Sequence, residues 1–223
     1  MNSENTYRLS WREIKKDWPL WLIIAGTFLL GLYLAPRLPE QVPSHWNLRG
    51  EVDGYASRTF AVFFQPMLTA GLYLLFLVLP LIDPRRANYA RFAGTYRFLK
   101  ALLVLFMCLL QLAILGTALG YISGPTWFFR LGLPLLFILL GNVMGQIRYN
   151  YFVGIKTPWT LASEEVWQKT HRAAARIWVV AGLAGAAAAF LPAAIGTPLL
   201  LIALTAAGII PVVHSYLLWR RLN

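Results

Sequence analysis

Gln146–Arg176 reads QIRYNYFVGIKTPWTLASEEVWQKTHRAAAR, the longest polar interval in a chain that is otherwise mostly apolar. It holds the adjacent Glu164–Glu165 pair, five basic residues and one of the chain's 3 histidines. Links between helices in a bundle usually need about 2–8 residues, so an interval of roughly 30 calls for structure or function of its own. Asn150, Gly154 and Pro158 break any single helix across its first half; Gly154 supplies permissive backbone, and Pro158 biases Thr157 towards an extended conformation. A helix start follows: Ser163 as cap, with Glu164 and Glu165 in the first turn, where the helix dipole favours negative charge. Glu165 and Lys169 are four apart in the favourable acid-then-base order. Trp167 and His171 are also four apart and share a face, with Glu164 one turn earlier on roughly the same side. The spacing predicts an amphipathic helix near Ser163–Arg172 lying on a membrane surface, with Trp159 and Trp167 as interfacial anchors.

Over the whole 223-residue chain, hydrophobic residues make up 58% and charged residues 13%, the balance of a polytopic membrane protein. The single cysteine, Cys108, sits in an apolar run and leaves no disulfide framework. Six apolar spans are predicted: Trp18–Ala35, Phe60–Ile82, Leu99–Ile122, a fourth from near Phe128 to Gly145, Ile177–Ile195 and Leu199–Trp219. Gly116 and Gly120 in the third, and Ala181, Gly185 and Ala189 in the fifth, have the small-residue spacing that lets helix backbones approach closely. Of the 20 lysines and arginines, sixteen fall in the N-terminal tail, the second connector, Gln146–Arg176 and the C-terminal tail, all on one side. The positive-inside rule then puts both termini and the polar interval in the cytoplasm and residues 36–59 outside. The net charge of +11 follows this topology, so direct nucleic-acid binding is not expected.

The expected architecture is therefore all-α: a bundle of six transmembrane helices, N-in and C-in, with a structured outer loop and a cytoplasmic interfacial helix. Its parts are a cytoplasmic tail over 1–17, the first two transmembrane helices over 18–97 with the outer loop at 36–59, and a region over 98–223 with four transmembrane helices and the polar segment 146–176.

Asn150–Leu161, NYFVGIKTPWTL, continues through Ser163-Glu164-Glu165-Val166-Trp167 to Lys169-Thr170-His171-Arg172. This segment resembles the signature of the SdpI family of bacterial membrane proteins, roughly N-x-x-x-G-I-[KR]-T-P-W-T-L-x-S-x-x-x-W-x-x-[TA]-H-[RK]. Gly141-Asn142 resembles the family's G-N lead-in. Leu38-Pro39, Val42-Pro43-Ser44-His45-Trp46-Asn47, Gly50 and Asp53-Gly54-Tyr55 resemble a short extracellular-side domain of unknown function that often precedes the signature. The resemblance implies a multi-pass protein of the bacterial plasma membrane with an immunity or signalling role. The family's name-giving member protects a toxin producer from its own secreted killing peptide and, on sensing that peptide, holds a cytoplasmic repressor at the membrane. The implied partners are membrane lipid, a secreted toxin peptide outside and a repressor protein inside.

Three constellations are candidate sites. In the outer loop, His45, Trp46, Asn47, Asp53 and Tyr55 are candidates for peptide contact. Imidazole and carboxylate suit zinc, but two or three scattered ligands fall short of a metal-site signature, and neither metal nor cofactor is expected. A loop folded on itself, with His45 hydrogen-bonded locally, is the plainer alternative. Asn142, Gln146 and His214 form an intramembrane polar cluster that either lines an inward-facing cavity or joins helices by hydrogen bonds. Asn150, Gly154, Thr157, Pro158, Trp159, Glu164, Glu165, Trp167, His171 and Arg172 are candidates for cytoplasmic docking.

Two other function classes compete. A transporter or exporter of small amphipathic molecules would use the Asn142, Gln146 and His214 region, though ionisable residues are rare in the spans. A membrane hydrolase would use Glu164 and His171 as an acid–base pair, but no H-E-x-x-H, G-x-S-x-G or phosphate-loop pattern accompanies them. No catalytic residue is assigned.

Overall fold

The computed structural model describes residues 11–47, 50–124 and 126–222. Residues 1–10, which include most of the expected N-terminal tail, lie outside the described residues. The elements in chain order are α1 (Trp11–Lys16), α2 (Trp18–Leu34), β1 (Gln41–Trp46), β2 (Val52–Ser57), α3 (Arg58–Ile82), α4 (Ala93–Ala118), α5 (Leu133–Met144), α6 (Pro158–Ala162), α7 (Glu164–Ala188) and α8 (Ala193–Leu222). Among the described residues, four helical stretches are long and apolar enough to cross about 30 Å of hydrocarbon: Trp18–Arg37, Arg58–Ile82, Arg86–Ala118 and Ala193–Leu222. The chain is a predominantly helical, multi-pass membrane protein.

Two parts of the six-span, all-α expectation change. The fourth and fifth stretches are shorter than spans. Phe128–Met144 is an apolar helical run of fewer than 18 residues whose first turn, Phe128–Gly132, is a wider π-type coil. The expected interfacial helix and the fifth span as far as Ala188 form one continuous helix, α7, whose first half carries Glu164, Glu165, Lys169, Arg172 and Arg176, while Ala193–Ile195 belong to α8. Only the second half of α7 is apolar. The outer loop, in turn, contains a two-stranded antiparallel sheet, so the fold is not all-α. Val42 pairs with Ala56 and Pro43 with Tyr55, with irregular register around His45. Pro43 is tolerated because both strands are edges, and Gly50 turns the chain at φ +83°.

The chain divides into two compact units. The first comprises Leu9–Phe76 and Lys100–Gly132. At its centre, Leu38 and Val42 from the base of the hairpin pack on Val62 of α3 and Leu115 of α4, all almost fully buried. Burial of each such aliphatic side chain contributes about 1.5–3 kcal/mol relative to water exposure. Gly120 does not serve helix packing as its spacing from Gly116 suggests. It lies past the end of α4 at φ +75°, where the N–H groups of Tyr121 and Ile122 return to the Gly116 carbonyl and stop the helix.

The second unit, in its described part, comprises Leu77–Leu99 and residues 133–222. Here α7 packs on α5 and α8 through small residues: the expected Ala181, Gly185 and Ala189 are buried, and so are Gly182 and Ala188. A Cβ on Gly182 would stand 2.7 Å from the Pro134 carbonyl oxygen, and one on Gly141 would stand 2.9 Å from that of Ala175. Pro211 inside α8 has no N–H for the Ala207 carbonyl. The Trp178 indole of α7 supplies one instead, Nε1 to O at 2.9 Å.

Candidate functional site

The signature segment folds around one histidine. Ser163 caps α7 by accepting the Val166 N–H, as the sequence predicts. Thr157 and Thr160 form a reciprocal capping box on α6, and Thr157 Oγ1 is 3.0 Å from Ser215 Oγ of α8. These caps set the direction of α7, so that Trp167 and His171 point into the unit, 0% and 1% exposed. Their rings stack with centroids 4.1 Å apart. Nδ1 of His171 donates to the Trp167 carbonyl at 2.8 Å, and Nε2 accepts the Ile155 N–H at 3.0 Å. Both nitrogens are therefore used, in the neutral Nδ1–H tautomer. Burial pushes the imidazole down to about 4, while the bond to the Trp167 carbonyl pulls weakly the other way.

The loop before α6 is clamped at two further points. Asn150, fully buried, accepts the N–H groups of Phe152 and Val153 and donates to the carbonyls of Arg148 and Val153, which sets the turn over 150–153. Asp83, at the end of α3, accepts the N–H of Tyr151 at 3.0 Å, the hydroxyl of Tyr89 at 2.9 Å and the N–H of Arg85 at 2.7 Å. Trp167 Nε1 donates to the Ile147 carbonyl, and the Tyr149 hydroxyl donates to that of Leu161. Burial pushes the Tyr149 phenol up, while the Arg85 guanidinium, 3.6 Å from the ring centroid, acts the other way.

The predicted docking residues thus split by exposure. Asn150, Thr157, Trp167 and His171 are internal, and Gly154 lies beneath the His171 ring. Trp167 is no interfacial anchor; helical spacing marks a shared face but not which side the protein covers. Pro158, Glu164, Glu165 and Arg172 are exposed, and Trp159 is half-buried with its ring 5.0 Å from Tyr216. Glu164 accepts from Gln168 at 3.3 Å, and Lys169 pairs with Glu165 at 2.6 Å. The acid–base pairing of Glu164 with His171 is not formed, because one is exposed and the other is sealed.

Asn142, Gln146 and His214 are not joined by any hydrogen bond among the described residues. Gln146 accepts from Thr95 at 2.8 Å, Asn142 is exposed, and Nδ1 of His214 is enclosed without a partner. In the hairpin, His45 Nδ1 and Asp53 Oδ1 are 2.5 Å apart, and Asn47 Nδ2 donates to Glu51 at 2.8 Å. The Trp46 indole N–H is enclosed, and Tyr55 is exposed. No group of three metal-ligating side chains occurs among the described residues.

Sequence reading missed two polar centres. Asp83 with Tyr89 holds the signature loop from 61 to 68 residues away along the chain. In the first unit, Asp17 and Lys100 form a buried ion pair that also takes the Tyr73 hydroxyl at 3.1 Å, which in turn accepts the Trp21 N–H at 2.7 Å. The available signal was Lys100 itself, a lysine inside a helix otherwise apolar enough to span.

Comparison with known proteins agrees with this organisation. No solved structure matches the chain. The immunity protein SdpI of Bacillus subtilis (strain 168) is 27% identical over 202 residues, covering 91% of this chain and 95% of that protein. Residues 22–70, which span α2, the hairpin and the start of α3, match the domain of unknown function DUF1648. Residues 146–215, the segment that folds around His171, match the SdpI/YfhL protein family, and the DUF1648 match lies ahead of it.

Proposed function

We propose that this chain is a bacterial plasma-membrane immunity protein that gives resistance to a secreted killing peptide. Similarity to an immunity protein along nearly the whole of both chains carries this reading. In it the chain crosses the membrane six times with both termini inside, as the lysine and arginine distribution favours, and the short runs at Phe128–Met144 and in α7 complete the crossings with their neighbours. The hairpin then faces outward and presents His45, Asp53 and Tyr55 to a peptide arriving at the membrane. A signalling role rests on a separate observation: the exposed first turns of α7, with Glu164, Glu165, Lys169 and Arg172, stand on a rigid buried core. That face is our candidate for docking a repressor.

Survival of a peptide-sensitive bacterium tests both readings. Cells would express wild type, H45A/D53A or E164A/R172A, each confirmed at the membrane, and meet a panel of secreted killing peptides. Immunity predicts protection by wild type that H45A/D53A loses and E164A/R172A keeps. No protection against any peptide removes immunity as the function of this member.

A further inference from the structure

We propose that Arg85 is the phosphate-binding residue of an anionic-lipid site at the end of α3. The inference does not depend on the immunity reading. Arg85 follows the candidate span Arg58–Ile82 by three residues, which places it at headgroup level. The face of its guanidinium is covered: the Tyr149 ring centroid is 3.6 Å away and that of Tyr151 is 5.5 Å away. Tyr149 is held in turn by its hydroxyl bond to Leu161 and its contact with Trp167, so the stacking platform is rigid.

A guanidinium stacked on its face keeps its in-plane N–H edge free, the geometry that grips a phosphate through two parallel hydrogen bonds. The carboxylate closest along the chain, Asp83, is already engaged by the N–H groups of Arg85 and Tyr151 and by the Tyr89 hydroxyl. Among the described residues the Arg85 side chain makes no ion pair, and its Nε is enclosed without a hydrogen-bond partner. So is that of Arg148, next to Tyr149 in the loop. Nε of Arg85 is enclosed by protein atoms, so the edge that meets the phosphate oxygens is the pair of Nη groups.

A free phosphate and a lipid phosphate offer the same chemistry. We assign the lipid because Leu81 and Ile82, one turn before Arg85, are 42% and 56% exposed and offer an apolar surface for an acyl chain beside the cation.

The test is thermal unfolding of the full chain in neutral detergent with added phosphatidylglycerol, phosphatidylcholine or inorganic phosphate, and native mass spectrometry of retained lipid. Wild type and R221Q, a control at the exposed C-terminal end, are expected to gain several degrees with phosphatidylglycerol alone and to retain that lipid. R85Q is expected to lose most of the gain, and R85K to keep only part of it, since an ammonium lacks the fork. An equal gain in R85Q and wild type, or an equal gain with phosphatidylcholine, overturns the site. The full gain with inorganic phosphate alone overturns the lipid assignment. If R85Q does not fold, R85K decides: undiminished lipid retention in it overturns the proposal.

Discussion

A Cβ placed on Gly154 would run into Nε2 of His171. The backbone at Gly154, with φ +122°, runs directly beneath the imidazole so that the next N–H, from Ile155, can reach that nitrogen. Gly154→Ala therefore meets the ring and an unfavourable φ together, and we expect a loss of about 3 kcal/mol in unfolding free energy. In a His171→Ala background the same change should cost at least about 1 kcal/mol less, since the ring is gone. Unfolding in detergent for the four-member cycle measures this. Strict additivity would mean the glycine serves another purpose.

His171 also makes stability depend on pH. Its folded value of about 4 lies below the ordinary 6.5, so between those values the unfolded chain binds more protons than the folded one. Stability is then full above pH 6.5 and falls as the pH drops from 6.5 towards 4, by on the order of 3 kcal/mol. His171→Gln should flatten that window. A wild-type profile unchanged from pH 7 to 4.5 would contradict the burial of a neutral imidazole.

Asp83 and Tyr89 should behave as one unit. Asp83→Asn turns one acceptor into a donor against N–H groups already aimed at it, at an expected cost of about 1–3 kcal/mol, and Tyr89→Phe should cost about 1 kcal/mol. The double variant is expected to fall short of their sum. Limited proteolysis within 148–156 should report the same order, since Asp83 holds the Tyr151 N–H.

For the buried ion pair, Lys100→Met leaves the Asp17 carboxylate enclosed without its cation, at a cost of about 3–5 kcal/mol. Asp17→Asn added to it should recover much of the loss. If the double variant is worse than Lys100→Met alone, the pair is not the dominant interaction of either side chain.

Trp178 and Pro211 give the last expectation. Trp178→Phe strips the Ala207 carbonyl of its donor and should cost about 1 kcal/mol. In a Pro211→Ala background the helix regains its own N–H for that carbonyl, and the cost of losing the indole N–H should vanish. An equal cost in both backgrounds would show that the indole acts through packing alone.

The local features were legible in sequence because they depend on neighbours along the chain. Ser163 as cap, the Glu165–Lys169 pair, the breaks at Gly154 and Pro158, the spans in α2, α3 and α8 and the small-residue face of α7 all rest on contacts within about one turn or on composition. The hairpin was hidden by Pro43, which reads as a loop residue although an edge strand accepts it.

What only the tertiary structure decided is which side of each element is covered. A period of 3.6 puts Trp167 and His171 together but is silent on whether membrane, water or protein meets them; the cap geometry of Thr157 and Ser163 and the packing of α5 and α8 turned that face inward. The Asp83 clamp and the Asp17–Lys100 pair join residues far apart in sequence, and no local pattern encodes a partner 68 or 83 residues away. Burial and long-range pairing are properties of the folded unit, so the sequence determined the membrane class, the family resemblance and the helix signals, while the fold alone determined that the signature's histidine is sealed.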